Sequence, residues 1–80
     1  MKSELFASAI VNRKRVRFIY GLNEVILEPY YISKNSNGKK VIYGRPINSN
    51  EIKKFEYNNI YNIKILKFKK FSPIIPILTA

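Results

Sequence analysis

The side chains able to do acid–base or nucleophilic chemistry in this chain are few, and their types are restrictive. There is no His and no Cys among the 80 residues, which removes the commonest general base, the commonest metal ligand and the thiolate nucleophile. Five carboxylates remain: Glu4, Glu24, Glu28, Glu51 and Glu56. Glu24 and Glu28 share one face of an extended strand, yet four residues at about 3.3 Å each set them about 13 Å apart, wider than a glycosidase pair of about 5 to 9.5 Å. Ser3, Ser8, Ser33, Ser36, Ser49 and Ser72 have no imidazole to activate them, and there is no Gly-rich phosphate loop. The residues therefore predict a protein that is not an enzyme, with no catalytic group, no metal site and no cofactor.

The chemistry left is recognition of anions. Fifteen Lys and Arg against five Glu give a net charge of +10, a field that concentrates polyanions and speeds their encounter. Around Phe55 the alternation of a strand puts Lys53, Phe55 and Tyr57 on one face and Lys54 and Glu56 on the other. A cation in line with aromatic rings suits a single strand of nucleic acid, whose phosphates need cations and whose splayed bases need a stacking surface. The favoured alternative for Phe55 and Tyr57 is core, with Lys53 lying along them. Arg45 follows Gly44, where bare backbone admits a ligand, and precedes the rigid Pro46, which makes it the preferred anion contact among the cations, with a solvated turn Arg standing as an equal alternative. Arg17 and Lys40 supply further cations. Tyr30, Tyr31 and Tyr43 offer more aromatic surface, or pack their rings inside and send the hydroxyl outward. The late cluster Lys64, Lys67, Lys69 and Lys70 either extends the positive field or guards an exposed strand against edge-to-edge pairing.

Positioning these residues falls to one helix and five short strands. Eighty residues allow one small domain, which buries only about 60 to 65 per cent of the unfolded chain's surface and gains from oligomerisation. Ser3 to Asn12 predicts a helix, with Ser3 as N-cap, Glu4 in the first turn and Leu5, Phe6, Ala9 and Ile10 as an apolar stripe. The basic run Arg13-Lys14-Arg15 follows, so the helical portion is placed at 3–14. From Val16 the period becomes two, with Val16, Phe18 and Tyr20 alternating with Arg17 and Ile19 before the tight turn Gly21-Leu22-Asn23. Glu24 to Ile32 is a second strand that Pro29 is expected to break. Lys39 to Arg45, Glu51 to Tyr57 and Ile60 to Phe68 follow, separated by polar turns, the last with imperfect alternation. The fold class is mainly β (α+β): a short N-terminal helix and, over 15–68, a strongly bent five-stranded sheet closed as a small barrel. Residues 69–80 form an apolar tail that Pro73 and Pro76 keep from being a helix or a central strand, expected to lie extended over an apolar surface of its own or a neighbouring subunit.

The stretch Gly38-Lys39-Lys40-Val41-Ile42-Tyr43-Gly44, followed after a turn by Lys53-Lys54-Phe55-Glu56-Tyr57-Asn58-Asn59-Ile60, resembles the WYL domain. In that family a Gly precedes a Trp-Tyr-Leu strand, and an Arg-x-Phe-x-Leu-Asp-Arg-Ile segment follows at about this separation. Ala9-Ile10 before a basic turn, Val16-x-Phe18-x-Tyr20, Pro29-Tyr30, and Phe71 with Pro73 extend the resemblance over most of the chain. The triplet itself is Lys40-Val41-Ile42 here. Lys53 stands for the family's first Arg, keeping charge without the planar fork, and Asn59 stands for the second. The resemblance implies an SH3-like or Sm-like small barrel with an N-terminal helical portion over 1–80. It also implies a module that senses or binds nucleotides or single-stranded nucleic acid, in bacterial transcription or phage-defence regulators. No helix-turn-helix is recognisable in this chain, so a DNA-reading part would come from a partner protein.

The expected function is thus a non-enzymatic regulatory module binding single-stranded nucleic acid or a nucleotide. Its candidate contacts are Arg45, Lys53, Arg17, Lys40, Tyr43, Tyr57 and Asn59. The alternative is an interaction or homo-oligomerisation module working through edge strands and the apolar tail. The absence of Cys, of a signal-like start at Met1-Lys2-Ser3-Glu4 and of any run near the roughly 20 apolar residues of a membrane span predicts a cytoplasmic protein without a membrane partner.

Overall fold

The computed structural model describes residues 1–67 and 69–73. It opens with α1 (Lys2–Asn12) and continues through β1 (Val16–Tyr20), β2 (Asn23–Lys34), β3 (Lys40–Pro46) and β4 (Lys53–Glu56). A single 3-10 turn (Tyr57–Asn59) then leads into β5 (Ile60–Ile65). Phe6, Ala9 and Ile10 form the buried stripe of α1, at the i, i+3, i+4 spacing of one helical face. Leu5, expected in that stripe, is exposed. The N-cap is Met1, with no side-chain cap. Ser3, expected to cap, instead shares a hydrogen bond of 3.2 Å with the Tyr57 hydroxyl. The helix also ends before residue 14: Arg13 turns left-handed at φ 53, and the N–H groups of Arg13 and Lys14 close back on the carbonyls of Ile10 and Ala9.

The five strands form one antiparallel sheet in the order β4-β3-β2-β1-β5. Its two edges, β4 and β5, are consecutive in the chain and joined by three residues. In a flat sheet four spacings of about 4.8 Å would hold those edges about 19 Å apart, whereas a 3-10 turn advances only about 2 Å per residue. The sheet must therefore curl until its edges approach. The result is a strongly bent, five-stranded antiparallel sheet of small-barrel form, with α1 packed against β2 and β5. Gly21, at φ 63, takes the first position of the two-residue β1–β2 hairpin, a conformation that a side chain would strain.

Two bulges explain where the strands depart from simple alternation. Pro29 does not break β2. The strand runs through it for 12 residues, because β1 ends its pairing opposite Leu27 and the register shifts between Pro29 and Tyr31, so the missing N–H falls beside a bulge. In β5, Arg17 pairs with Lys64 but Ile19 with Tyr61, and Asn62 turns left-handed at φ 57. That extra residue lets both Ile60 and Ile63, three apart, reach the core side. β4 stops at Glu56, so Tyr57 lies in the 3-10 turn and not on a strand face with Lys53 and Phe55; β5 stops at Ile65 and not at residue 68.

The core sits between α1 and the concave face. Phe18 lies at its centre, edge-to-face with Phe6 at 6.2 Å and with Phe55 at 5.4 Å, and Val16, Leu27, Ile42 and Ile60 fill around it with no exposure. After β5 the chain passes back along the start of β1: the Leu66 amide donates to Arg15 O and the Phe71 amide to Arg13 O. Phe71 is 2% exposed and stacks on Tyr30 at 5.8 Å. Of the apolar tail expected to lie extended, residues 74–80 fall outside the described residues, as does Phe68. Among the described residues no helix is long and apolar enough to cross a membrane.

Candidate nucleic-acid interface

Strand register assigns each polar side chain to a face. The row Ile32, Ile42, Phe55 across β2, β3 and β4 belongs to the core. The adjoining row Tyr31, Tyr43, Lys54 therefore stands on the outer face. The same alternation sends Leu27 inward and its neighbour Glu28, opposite Arg45, outward. Without the bulge, Tyr31 would share the inward face of Val25 and Leu27. The extra residue at Tyr30 turns Tyr31 outward and stacks it on Tyr43, centroid to centroid 4.7 Å at 17°. Both rings are half-buried, and Lys54 beside them is exposed.

Glu28 is the one buried charged side chain among the described residues, at 2% exposure. Arg45 grips it bidentately, Nε to Oε1 at 3.0 Å and Nη2 to Oε2 at 2.7 Å, while Nη1 donates to Ser49 O. Arg15 adds a longer contact of 3.4 Å to Oε2 and donates its other arm to Lys69 O, and the Tyr30 hydroxyl donates to Oε1. Donating to the Glu28 carboxylate raises the pKa of Arg45 above its ordinary value, against the opposing effect of burial. Every arm of the Arg45 guanidinium is thus committed inside the protein. Gly44 is bare for a related reason. A Cβ there would collide with the Glu28 carbonyl oxygen and approach Leu27 Cγ to 2.8 Å, so the open backbone accommodates this chain's own β2.

The remaining candidates divide between the faces. Arg17 is on the outer face, 3.3 Å from Glu24. Lys53 is exposed at the start of β4 and, with Val25, Pro46, Ile47 and Phe55, lines a shallow depression of about 440 Å³. Lys40 lies on the helix side of the sheet, its Nζ donating to Ser3 Oγ at 3.4 Å. Ser3 links it to the Tyr57 hydroxyl, and Lys2 Nζ donates to the Tyr57 carbonyl. The Tyr57 ring is buried against Phe6 at 5.4 Å, and burial pushes the phenol pKa above its ordinary value. Asn59 is exposed at the end of the same 3-10 turn. Lys40 and Tyr57 thus gather around the start of α1, Tyr43, Arg45 and Arg17 stand on the outer face, and Asn59 and Lys53 are exposed elsewhere.

Two features were missed by the sequence reading. Glu28 carried a signal, a lone carboxylate inside the apolar run Val25 to Tyr31 that must find a partner if buried. The Tyr31–Lys54 row carried none, because it depends on the bulge. No three potential metal-ligating side chains converge among the described residues. Comparison with protein-family models, curated proteins and solved structures found no match.

Proposed function

We propose that this chain is a non-enzymatic regulatory module that binds single-stranded nucleic acid or a nucleotide, the role its resemblance to WYL domains implies. The observation that carries the reading is the stacked, half-buried Tyr31–Tyr43 pair on the outer sheet face with Lys54 next in register. Rings standing on a sheet face give bases a stacking surface that tolerates any sequence. The cations that would meet phosphate are lysines. Among the described residues the ion pairs to glutamate side chains engage Arg15, Arg17, Arg45 and the Met1 amino group, whereas Lys34, Lys39, Lys40, Lys53 and Lys54 are exposed and in no ion pair. A DNA-reading partner protein would supply any duplex specificity.

Titrating labelled single-stranded DNA, single-stranded RNA and small nucleotides at two salt concentrations tests this. If those five lysines each neutralise one phosphate, log affinity falls with log salt at a slope near about −3.5. A salt-independent affinity, or none at low salt, rejects the reading. A second reading, an interaction or homo-oligomerisation module, is favoured by the two edge strands and by Ile47 and Leu22, exposed at or beside the depression that contains Lys53. Light scattering of the chain with and without residues 72–80 decides it: an unchanged monomer mass removes its support.

A further inference from the structure

We infer that the ligand is an oligonucleotide rather than a mononucleotide, a strand that crosses the end of the β2–β3 hairpin from the outer tyrosines to the lysines on the helix side. The inference rests on the binding reading above and names the ligand class for it. Tyr31 and Tyr43 lie three residues from Lys34 and Lys40 along β2 and β3, and those lysines are directly paired across the ladder. Three residues of strand are about 10 Å. Because three is odd, the tyrosines and lysines stand on opposite faces, consistent with Lys40 reaching Ser3 on α1. A stacked strand advances about 3.4 Å per nucleotide, so about 10 Å along the strands alone takes about three nucleotides, and passing round the hairpin end to the other face takes more. One nucleotide reaches either the rings or the lysines.

The hairpin end is built to hold its cations in place. The Asn35 carboxamide oxygen accepts from the amides of Asn37 and Lys39, and the Asn35 amide donates to Lys39 O, which closes the turn carrying Lys39. Lys34 opposite Lys40 places like charges face to face, an arrangement that destabilises a ladder unless an anion lies between or beside them. Glu56 falls in the register row between tyrosines and lysines and accepts from the Asn35 side chain at 3.2 Å. It therefore opposes phosphate at that one step of the path.

The test is a length series of labelled oligothymidylates, from one to twelve nucleotides, against the intact chain at low salt. Affinity should rise at least about tenfold between the mononucleotide and the hexanucleotide, the least expected from one more stacked base and its phosphates. Lys39→Ala with Lys40→Ala should remove most of that rise, costing the hexanucleotide at least about fivefold more affinity than it costs the mononucleotide. Glu56→Gln should tighten the hexanucleotide, a gain that misfolding cannot imitate. A mononucleotide bound as tightly as the hexanucleotide overturns the inference while leaving the module a nucleotide binder. Failure of every length to bind overturns the binding reading as well.

Discussion

Replacing Glu28 by Gln keeps the shape of the side chain and removes the charge on which Arg45 and Arg15 converge. The carboxylate is 2% exposed, and the Arg45 and Arg15 side chains are 20% and 28% exposed. Removing one partner of a buried pair costs about 3 to 5 kcal/mol. The lower end applies here because both guanidinium groups can recover some hydration at their exposed sides. An 80-residue domain is stable by only about 4 to 12 kcal/mol, so a loss of about 3 is a large share. At about 4 to 8 °C per kcal/mol for a domain of this size, the Tm should fall by about 12 to 24 °C. Urea unfolding followed by circular dichroism measures it, with a thermal scan as a second reading. Replacing Glu28 and Arg45 together by Gln and Met should recover part of the loss, since the unpaired cation goes with its partner. A single-variant loss under about 1 kcal/mol, the size of an exposed pair, would refute the argument that this cluster is desolvated.

Other outcomes follow from the same geometry. Tyr43→Ala should weaken single-strand binding by about 1 to 3 kcal/mol, read by fluorescence anisotropy, with unfolding midpoints showing that the sheet survives. Gly44→Ala should destabilise by about 1 to 3 kcal/mol or more, because the new methyl meets the Glu28 carbonyl and Leu27; a neutral result in urea would mean that β2 and β3 lie farther apart. Tyr57→Phe isolates a pH effect. Burial raises the phenol pKa in the folded state, so the folded chain keeps a proton that the unfolded chain releases above about pH 10. The wild type should therefore lose stability faster than Tyr57→Phe as pH climbs past about 10, and the two should run parallel below about pH 9.

Much of the framework was readable from local pattern. The period-two run from Val16 and the Gly21-Leu22 turn mark a hairpin without any knowledge of the rest, and Phe6, Ala9 and Ile10 mark a helix face. What escaped depended on the chain's distant parts. Pro29 argued for a broken strand, and the strand continued because the pairing with β1 ends opposite Leu27 and a bulge follows, facts fixed by pairing partners. The same bulge moved Tyr31 to the outer face and so created the row with Tyr43 and Lys54. Arg45 drew attention as an anion contact because Gly44 and Pro46 flank it. Its anion proved to be Glu28, seventeen residues earlier, which only the register of β2 on β3 brings opposite. Ser3 had the right type and position for a cap, but Tyr57, brought near by the 3-10 turn, took its hydroxyl.

The Glu28 cluster also decides what kind of electropositive coat this barrel wears. With Arg15, Arg17 and Arg45 tied to carboxylates, the outward field comes chiefly from ammonium groups on long flexible stems. Such groups hold their water tightly and have no preferred docking plane, so whatever they attract can slide and exchange quickly. Each is also a primary amine. Acylation can erase the coat one group at a time while the guanidinium clasp beneath, which such reagents leave alone, keeps the barrel shut.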